Sequence, residues 1–177
     1  MDKKQFRKTF LDKLNVLNIS KKDCSSLYKK LFESKEFNFA STIAVTLNSK
    51  IEINTLPIIH KCWKMGKKVV IPKTFPNRKM FFYIYNENTK LVKSKFGILE
   101  PINSQMVLKD EIDLMIVPGL CFDKLNHYRL GFGGGYYDRF LSDYNGYTIS
   151  LATKHQLLET PEWVVDDFDK QINKIIY

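Results

Sequence analysis

Four glycines fall within positions 131 to 135, in the stretch Tyr128-Arg129-Leu130-Gly131-Phe132-Gly133-Gly134-Gly135-Tyr136-Tyr137-Asp138. No other part of the chain constrains its folding as strongly. Glycine reaches positive φ without steric cost and lets a ligand approach the backbone. The apolar pattern of residues 136–141 predicts a helix directly afterwards, so that loop N–H groups and a helix N-terminus converge. Such convergence binds phosphate. Upstream, Asp113-Leu114-Met115-Ile116-Val117 reads as a buried strand ended by Pro118-Gly119. Strand, long loop, glycine turn and helix fit a nucleotide site at the edge of a parallel sheet. The run is neither of the common glycine motifs. No Lys-Ser or Lys-Thr follows, as Walker A requires, and residues 131–136 lack the sixth-position glycine of the dinucleotide fingerprint. A mobile surface turn is the other reading of a loop with this composition.

The chain has 177 residues, 44% of them hydrophobic. That suits one domain, residues 1–177, with a core of its own. No apolar run approaches the ~20 residues that cross a bilayer. The first residues, Met1-Asp2-Lys3-Lys4-Gln5-Phe6-Arg7, have no apolar segment behind them, so a cytoplasmic location is expected. Cys24, Cys62 and Cys121 lie far apart and read as reduced, packed thiols. His60, His127 and His155 are equally scattered and offer no metal spacing. The net charge of +9 favours an anionic partner. The lysines are dispersed, and no nucleic-acid recognition motif is present.

Residues 2–17 read as an amphipathic helix, with Phe6, Phe10, Leu14 and Leu17 three or four apart and Leu11 beside them. Lys3 and Arg7 share one face of it, and by pattern alone they are a surface basic pair. Ser20 is placed as the N-cap of a second helix with Cys24, Leu27, Leu31 and Phe32 on its apolar side. Residues 39–47 read as the first central strand. Residues 48–57 form a strand-to-helix loop in which Asn54 or Thr55 caps a helix that runs to Met65 and stops at Gly66. Further strands are predicted at 67–72, at 80–85 (aromatic, and at an edge), at 147–152 and at 169–176. Short buried strands alternating with helices give an α/β sheet covered on both faces.

The string from Arg129 to Asp138 closely resembles the signature of the 5-formyltetrahydrofolate cyclo-ligase, or methenyltetrahydrofolate synthetase, family: Arg-Leu-Gly-aromatic-Gly-Gly-Gly-Tyr-Tyr-Asp. Lys3 and Arg7 match a basic pair of that family. Glu52-Ile53-Asn54-Thr55, Phe96-Gly97-Ile98-Leu99-Glu100-Pro101, Pro118-Gly119-Leu120-Cys121-Phe122-Asp123 and Gln156 match further segments. The resemblance implies an α/β fold, three-layer α/β/α with a mostly parallel sheet, similar to ribose-5-phosphate isomerase and CoA-transferase folds. It implies ATP- and Mg²⁺-dependent closure of 5-formyltetrahydrofolate, free or polyglutamylated, to 5,10-methenyltetrahydrofolate through a phosphorylated formyl oxygen. A monomer is expected, with no nucleic acid and no membrane as partner.

The same resemblance implies the site residues. Lys3, Lys4 and Arg7 would meet the ATP phosphates, together with Arg129, Leu130, Gly131, Phe132, Gly133, Gly134, Gly135, Tyr136 and Tyr137. Ser49, Glu52 and Asn54 would line the folate site with Phe132, the three successive glycines and Tyr136. Arg129, Tyr136 and Tyr137 would act on the reacting groups, and Asp138 and Asn173 would hold Mg²⁺. Read alone, the two tyrosines could equally pack in the core, and Asp138 could be a first-turn helix acid. The chain departs from the family pattern at four places. Asn54 and Asn173 stand where acids are usual, Gly134 where some members have Lys, and Asn126-His127-Tyr128 replaces a glycine before Arg129, with Asn126 expected in the left-handed turn. Another ATP-dependent enzyme on the same scaffold, or a non-catalytic folate- or nucleotide-binding relative, are the alternative readings.

Overall fold

The structure is a computed structural model that describes residues 2–19, 22–95 and 97–177. It begins with α1 (Lys3–Leu17), capped by the Asp2 carboxylate, which accepts from Gln5 N, and stopped by Asn18 in the left-handed region. Then come α2 (Ser25–Glu33), α3 (Lys35–Phe39), β1 (Thr42–Ala44), α4 (Leu56–Lys64), β2 (Lys68–Phe75) and β3 (Lys79–Ile84). A hairpin of β4 (Lys90–Lys93) and β5 (Leu99–Ile102) precedes β6 (Met106–Val107) and β7 (Leu114–Ile116). After β8 (Cys121–Asp123) and β9 (Arg129–Leu130) come α5 (Tyr136–Leu141), β10 (Tyr147–Leu151), β11 (Leu157–Leu158) and β12 (Lys174–Ile176).

Seven strands form the central sheet in the order β12-β10-β7-β1-β2-β3-β6. The five strands from β12 through β2 are joined by four parallel pairings, and β3 and β6 add antiparallel strands at one side. Strand periodicity sorts the side chains onto two faces. Ile43, Val69, Ile71, Leu114, Ile116 and Ile149 pack with Phe6, Phe10, Leu14, Leu27, Leu31, Ile58 and Ile59 of the first four helices. Ala44, Val70, Phe82, Met115 and Val117 face the other way, against Phe140 and Leu141 of α5. The two faces are thus covered unequally: four helices lie on one, and a six-residue helix lies on the other. No helix among the described residues is long and apolar enough to cross a membrane.

Several expected boundaries shift. The first strand starts at Thr42, because residues 35–39 form α3, with the Ser34 hydroxyl accepting from Phe37 N. Phe37 is fully buried there, its ring 5.1 Å from that of Phe32, while Phe39 points into solvent. Lys67 Nζ closes the short helix by donating to the carbonyls of Asn38 and Ala40. The second helix starts at Ser25 from Cys24, and the expected cap Ser20 lies outside the described residues. The aromatic strand β3 is not the edge, since β6 pairs with it at Phe82 and Tyr83. Only residues 174–176 of the last predicted strand pair, since residues 166–170 are drawn into turns by Asp166 and Asp169. The left-handed residue before Arg129 is His127, with φ 60°, and not Asn126. The buried Asp123 carboxylate explains this, because it accepts from both Asn126 N and Tyr128 N and moves the turn one residue on.

Packing of this kind sets a stability contrast. Phe37→Ala should cost about 3–5 kcal/mol because it empties a fully enclosed ring site. Val16→Ala, on an exposed face of α1, should stay within about 0.5 kcal/mol. Urea unfolding midpoints of the two variants check the difference.

Candidate active site

In an open parallel sheet, ligands bind at the carboxyl ends of the strands where the strand order reverses. Here the chain moves from β1 outward to β2, then returns to lay β7 on the other side of β1. The crevice between β1 and β7 is therefore the switch point. A cleft of about 1180 Å³ opens there, lined by Thr46 and Leu47 after β1, Pro118 after β7, and Pro72 and Thr74 of β2. The glycine loop and the start of α5 form another wall, and Lys3 and Arg7 of α1 reach in from the N-terminal helix.

The loop is held at both ends. Arg129 on β9 is only 5% exposed, and its Nη2 donates to Asp138 Oδ1 at 3.1 Å. This ion pair ties the strand before the loop to the helix after it. Removing Asp138 would strand the buried Arg129 charge, which costs far more than the pair contributes. Between these anchors Gly133 and Gly135 take φ of 101° and 67°, conformations that a side chain resists. Arg7 Nε donates to Gly131 O at 2.9 Å and fixes α1 against the loop. The Arg129 guanidinium also lies over the Tyr137 ring at 5.4 Å.

Lys3 sits deeper than a surface basic residue. Its Nζ forms ion pairs with Asp166 and, at 2.6 Å, Asp169, beside the Phe168 ring. Burial opposes its charge, but the hydrogen bonds and fields of the two aspartates outweigh burial and raise its pKa. Asp169 is therefore a Lys3 partner, and the N-terminal helix is clasped to the C-terminal turns.

The loop after β1 braces itself. Asn48 Oδ1 accepts from Thr55 N, Thr55 Oγ1 donates to Thr46 O, and Glu52 Oε2 accepts from Ser49 N at 2.7 Å. Glu52 is buried against the cleft, and burial pushes its carboxyl above the ordinary range despite the bond from Ser49 N. Tyr137 is raised likewise, by burial first and then by the nearby Glu52 charge. Three buried polar atoms on cleft residues have no partner: Ser49 Oγ, Arg129 Nε and Tyr137 Oη. Buried polar atoms in a native fold are almost always satisfied, so an unsatisfied set on one cleft marks where a ligand's groups belong.

Of the residues singled out from sequence, the cleft gathers Lys3, Arg7, Ser49, Glu52, Arg129, Leu130, Gly131, Phe132, Gly133, Gly134, Gly135, Tyr136, Tyr137 and Asp138. Leu130 contributes by its position only, its side chain being buried in the core. Three residues are not brought there. Lys4 is on the exposed side of α1, because the face that carries Lys3 and Arg7 is the one turned to the loop. Asn54 Oδ1 accepts from Leu56 N, the first residue of α4, and its carbonyl accepts from Tyr28 Oη, so its groups are engaged just before the N-cap Thr55 and it does not line the cleft. Asn173 Oδ1 accepts from Thr148 N and Oγ1, which joins β10 to the chain entering β12 and turns the amide away from the site. Among the described residues no group of three or more His, Cys, Asp and Glu is arranged to hold a metal ion. The three cysteines are buried, with thiols pushed up by burial, Cys62 to about 12. The pattern of residues did not disclose Arg78 or Glu100, which also line the cleft. The Phe96-to-Pro101 segment was the one pointer to Glu100, and nothing pointed to Arg78.

A large, mostly parallel sheet with a glycine loop and converging cations at its switch point defines an α/β enzyme of the anion-handling kind. The profile of the "5-formyltetrahydrofolate cyclo-ligase family" matches residues 1–177, and the chain belongs to that family. The 5-formyltetrahydrofolate cyclo-ligase of Haemophilus influenzae is 36% identical over 140 residues, covering 73% of this chain and 74% of the relative. That of Escherichia coli is 34% identical over 134 residues, covering 70% and 73%. The solved structure of Aquifex aeolicus 5,10-methenyltetrahydrofolate synthetase superimposes with a TM-score of 0.82 at 28% identity, covering 99% of this chain and 89% of that one.

The site makes stability depend on pH. The Glu52 carboxyl, ordinarily near 4.5, is raised by folding, so the folded chain keeps a proton that the unfolded chain has released. Stability therefore falls as pH rises from the ordinary value through the raised one. Glu52→Gln, which keeps an acceptor for Ser49 N, should gain nothing over wild type below about pH 4 and progressively more toward neutrality. Melting temperatures of both proteins across that range check it; a pH-independent difference would count against the assignment.

Proposed function

We propose that this chain is an ATP-dependent ligase that converts 5-formyltetrahydrofolate to 5,10-methenyltetrahydrofolate with release of ADP and phosphate. The observation that carries the reading is the glycine loop at the sheet's switch point, clamped by Arg129 and Asp138, within a chain of the cyclo-ligase family.

An amide oxygen is a poor leaving group, and phosphorylation makes it a good one. The formyl oxygen attacks the γ-phosphorus as its bond to ADP breaks. N10 then attacks the formyl carbon, its proton departs, and the C–O bond to phosphate breaks with its electron pair. Catalysis of this kind is positioning and charge compensation. Backbone N–H groups of residues 131–135 suit the phosphates, and Arg7 and Lys3 stand beside them. Lys3 would exchange part of its aspartate contacts for phosphate oxygens. The Tyr137 hydroxyl and Arg129 Nε, both without partners, suit the formyl and phosphoryl oxygens. Glu52 and Ser49 suit the polar edge of the pterin, since a carboxyl held toward its neutral form can donate as well as accept. Phe132 and Tyr136 offer aromatic faces to the ligand.

Mg²⁺ fits this donor set in the way that is usual for nucleotide enzymes, with one carboxylate, phosphate oxygens and water. Asp138 would hold it, while its Oδ1 remains with Arg129. The ion would supply charge neutralisation of the phosphates. A free or polyglutamylated tail on the folate and action as a monomer belong to the same proposal.

Purified protein mixed with 5-formyltetrahydrofolate and Mg²⁺·ATP should form methenyltetrahydrofolate, followed by its near-ultraviolet absorbance, and form none without ATP. Nucleotide binding without product would point to a non-catalytic relative or to another substrate. Asp138→Asn, which keeps an acceptor for Arg129, should lower kcat about 100-fold and raise the Mg²⁺ concentration needed. Unchanged Mg²⁺ dependence would remove Asp138 from the metal site.

A further inference from the structure

Three of the cleft's cations are already engaged. Lys3 is paired with two aspartates, Arg7 donates to Gly131 O, and Arg129 is held by Asp138. Arg78 lines the same cleft with no hydrogen-bond or ion-pair partner among the described residues. It comes from the tip of the β2–β3 hairpin, far in sequence from the glycine loop, yet a Cβ on Gly135 would lie 3.5 Å from Arg78 Nη1. A Cβ on Gly133 would lie 3.6 Å from the Arg7 guanidinium. Two arginines on separate elements thus stand over loop positions two residues apart.

The hairpin presents Arg78 by design of its backbone. Asn77 and Arg78 have φ of 60° and 57°, a tandem left-handed turn made without glycine. Such conformations cost free energy and persist only where the surroundings enforce them. Six residue pairs from Val70–Ile84 to Phe75–Lys79 fix the hairpin below the tip. The buried Glu100 carboxylate on β5 accepts from Thr74 N at 3.0 Å and Thr74 Oγ1 at 2.6 Å, which locks β2 shortly before the turn. The braced turn fixes the Arg78 backbone, and the unpaired guanidinium has no protein partner to give up when an anion arrives. Its planar fork matches a phosphoryl group in two-point contact.

We propose that Arg78 is a phosphate-binding residue of the reaction, closing on the terminal phosphoryl group of ATP from the hairpin while Arg7 and the loop backbone hold it from the other elements. This rests on the ATP-dependent reading above. The choice of phosphate over a substrate carboxylate follows from position, because Arg78 stands at Gly135, next to Tyr136 and within the loop that Arg129 and Asp138 clamp. Charge spread over the oxygens of a transferring phosphoryl group is what an added arginine stabilises.

Arg78→Ala and Arg78→Lys test this. Calorimetry without folate reads the binding of a non-hydrolysable ATP analogue and of ADP. Steady-state kinetics read kcat and both KM values. Arg78→Ala should weaken the ATP analogue about 10-fold while ADP stays within about 2-fold, and should lower kcat at least about 100-fold. Arg78→Lys should recover part of the loss in kcat, since the charge returns without the fork. The KM for 5-formyltetrahydrofolate should not move. Analogue affinity and kcat equal to wild type would overturn the proposal. So would a raised folate KM alone, which would put Arg78 on a substrate carboxylate. Should wild-type protein yield no methenyl product, the functional reading fails, and the calorimetric comparison still decides the role of Arg78.

Discussion

A guanidinium taken out of water has to be paired, and the arrangement of this site follows from the pairing of Arg129 with Asp138. The bond spans the loop from its strand to its helix, so it sets where the glycines stand and which way α5 leaves. A buried ion pair contributes little net stability against apolar replacement, but breaking it is expensive. The fold therefore gains a fixed geometry more than free energy. With the loop fixed, Arg7 can reach Gly131 O, α1 is seated, and Lys3 is brought to the aspartates at the far end of the chain.

The same logic gives the cleft its character. Among the described residues, three of its six basic side chains, those of Lys3, Arg7 and Arg129, are held by protein partners, which keeps them ordered. An anionic ligand at Lys3 would have to compete with Asp166 and Asp169. The apolar walls, the raised carboxyl of Glu52 and the unpartnered Tyr137 hydroxyl show a site that tolerates unsatisfied polar groups. Such tolerance is the usual cost of leaving polar groups ready for a ligand.

Much of this was legible in the residues. The helix at 136–141, the buried strand after Asp113 and the amphipathic first helix follow from periodicity and from glycine's access to positive φ, which act locally. The elements that went unread are those whose formation depends on distant partners. α3 exists because Phe37 finds a fully enclosed place and Lys67 caps its end. The β4–β5 hairpin is tied to β2 through Glu100, which accepts from Thr74. The left-handed residue lies at His127 because the buried Asp123 carboxylate accepts from the backbone N–H groups on either side of it, those of Asn126 and Tyr128.

The order of amino acids was sufficient to specify an α/β chain with a phosphate-type loop, since local φ preferences and apolar spacing are properties of short segments. It was also sufficient to place Arg7, Arg129 and Asp138 around that loop through family likeness. Which polar groups reach the cleft was decided by packing. Asn173 spends its amide on Thr148 and Asn54 spends its own on α4, while Lys4 is turned outward by the 3.6-residue helical repeat. Arg78 enters the cleft for the converse reason: strand pairing carries a hairpin tip across the sheet to a loop far along the chain, a distance that sequence spacing does not encode.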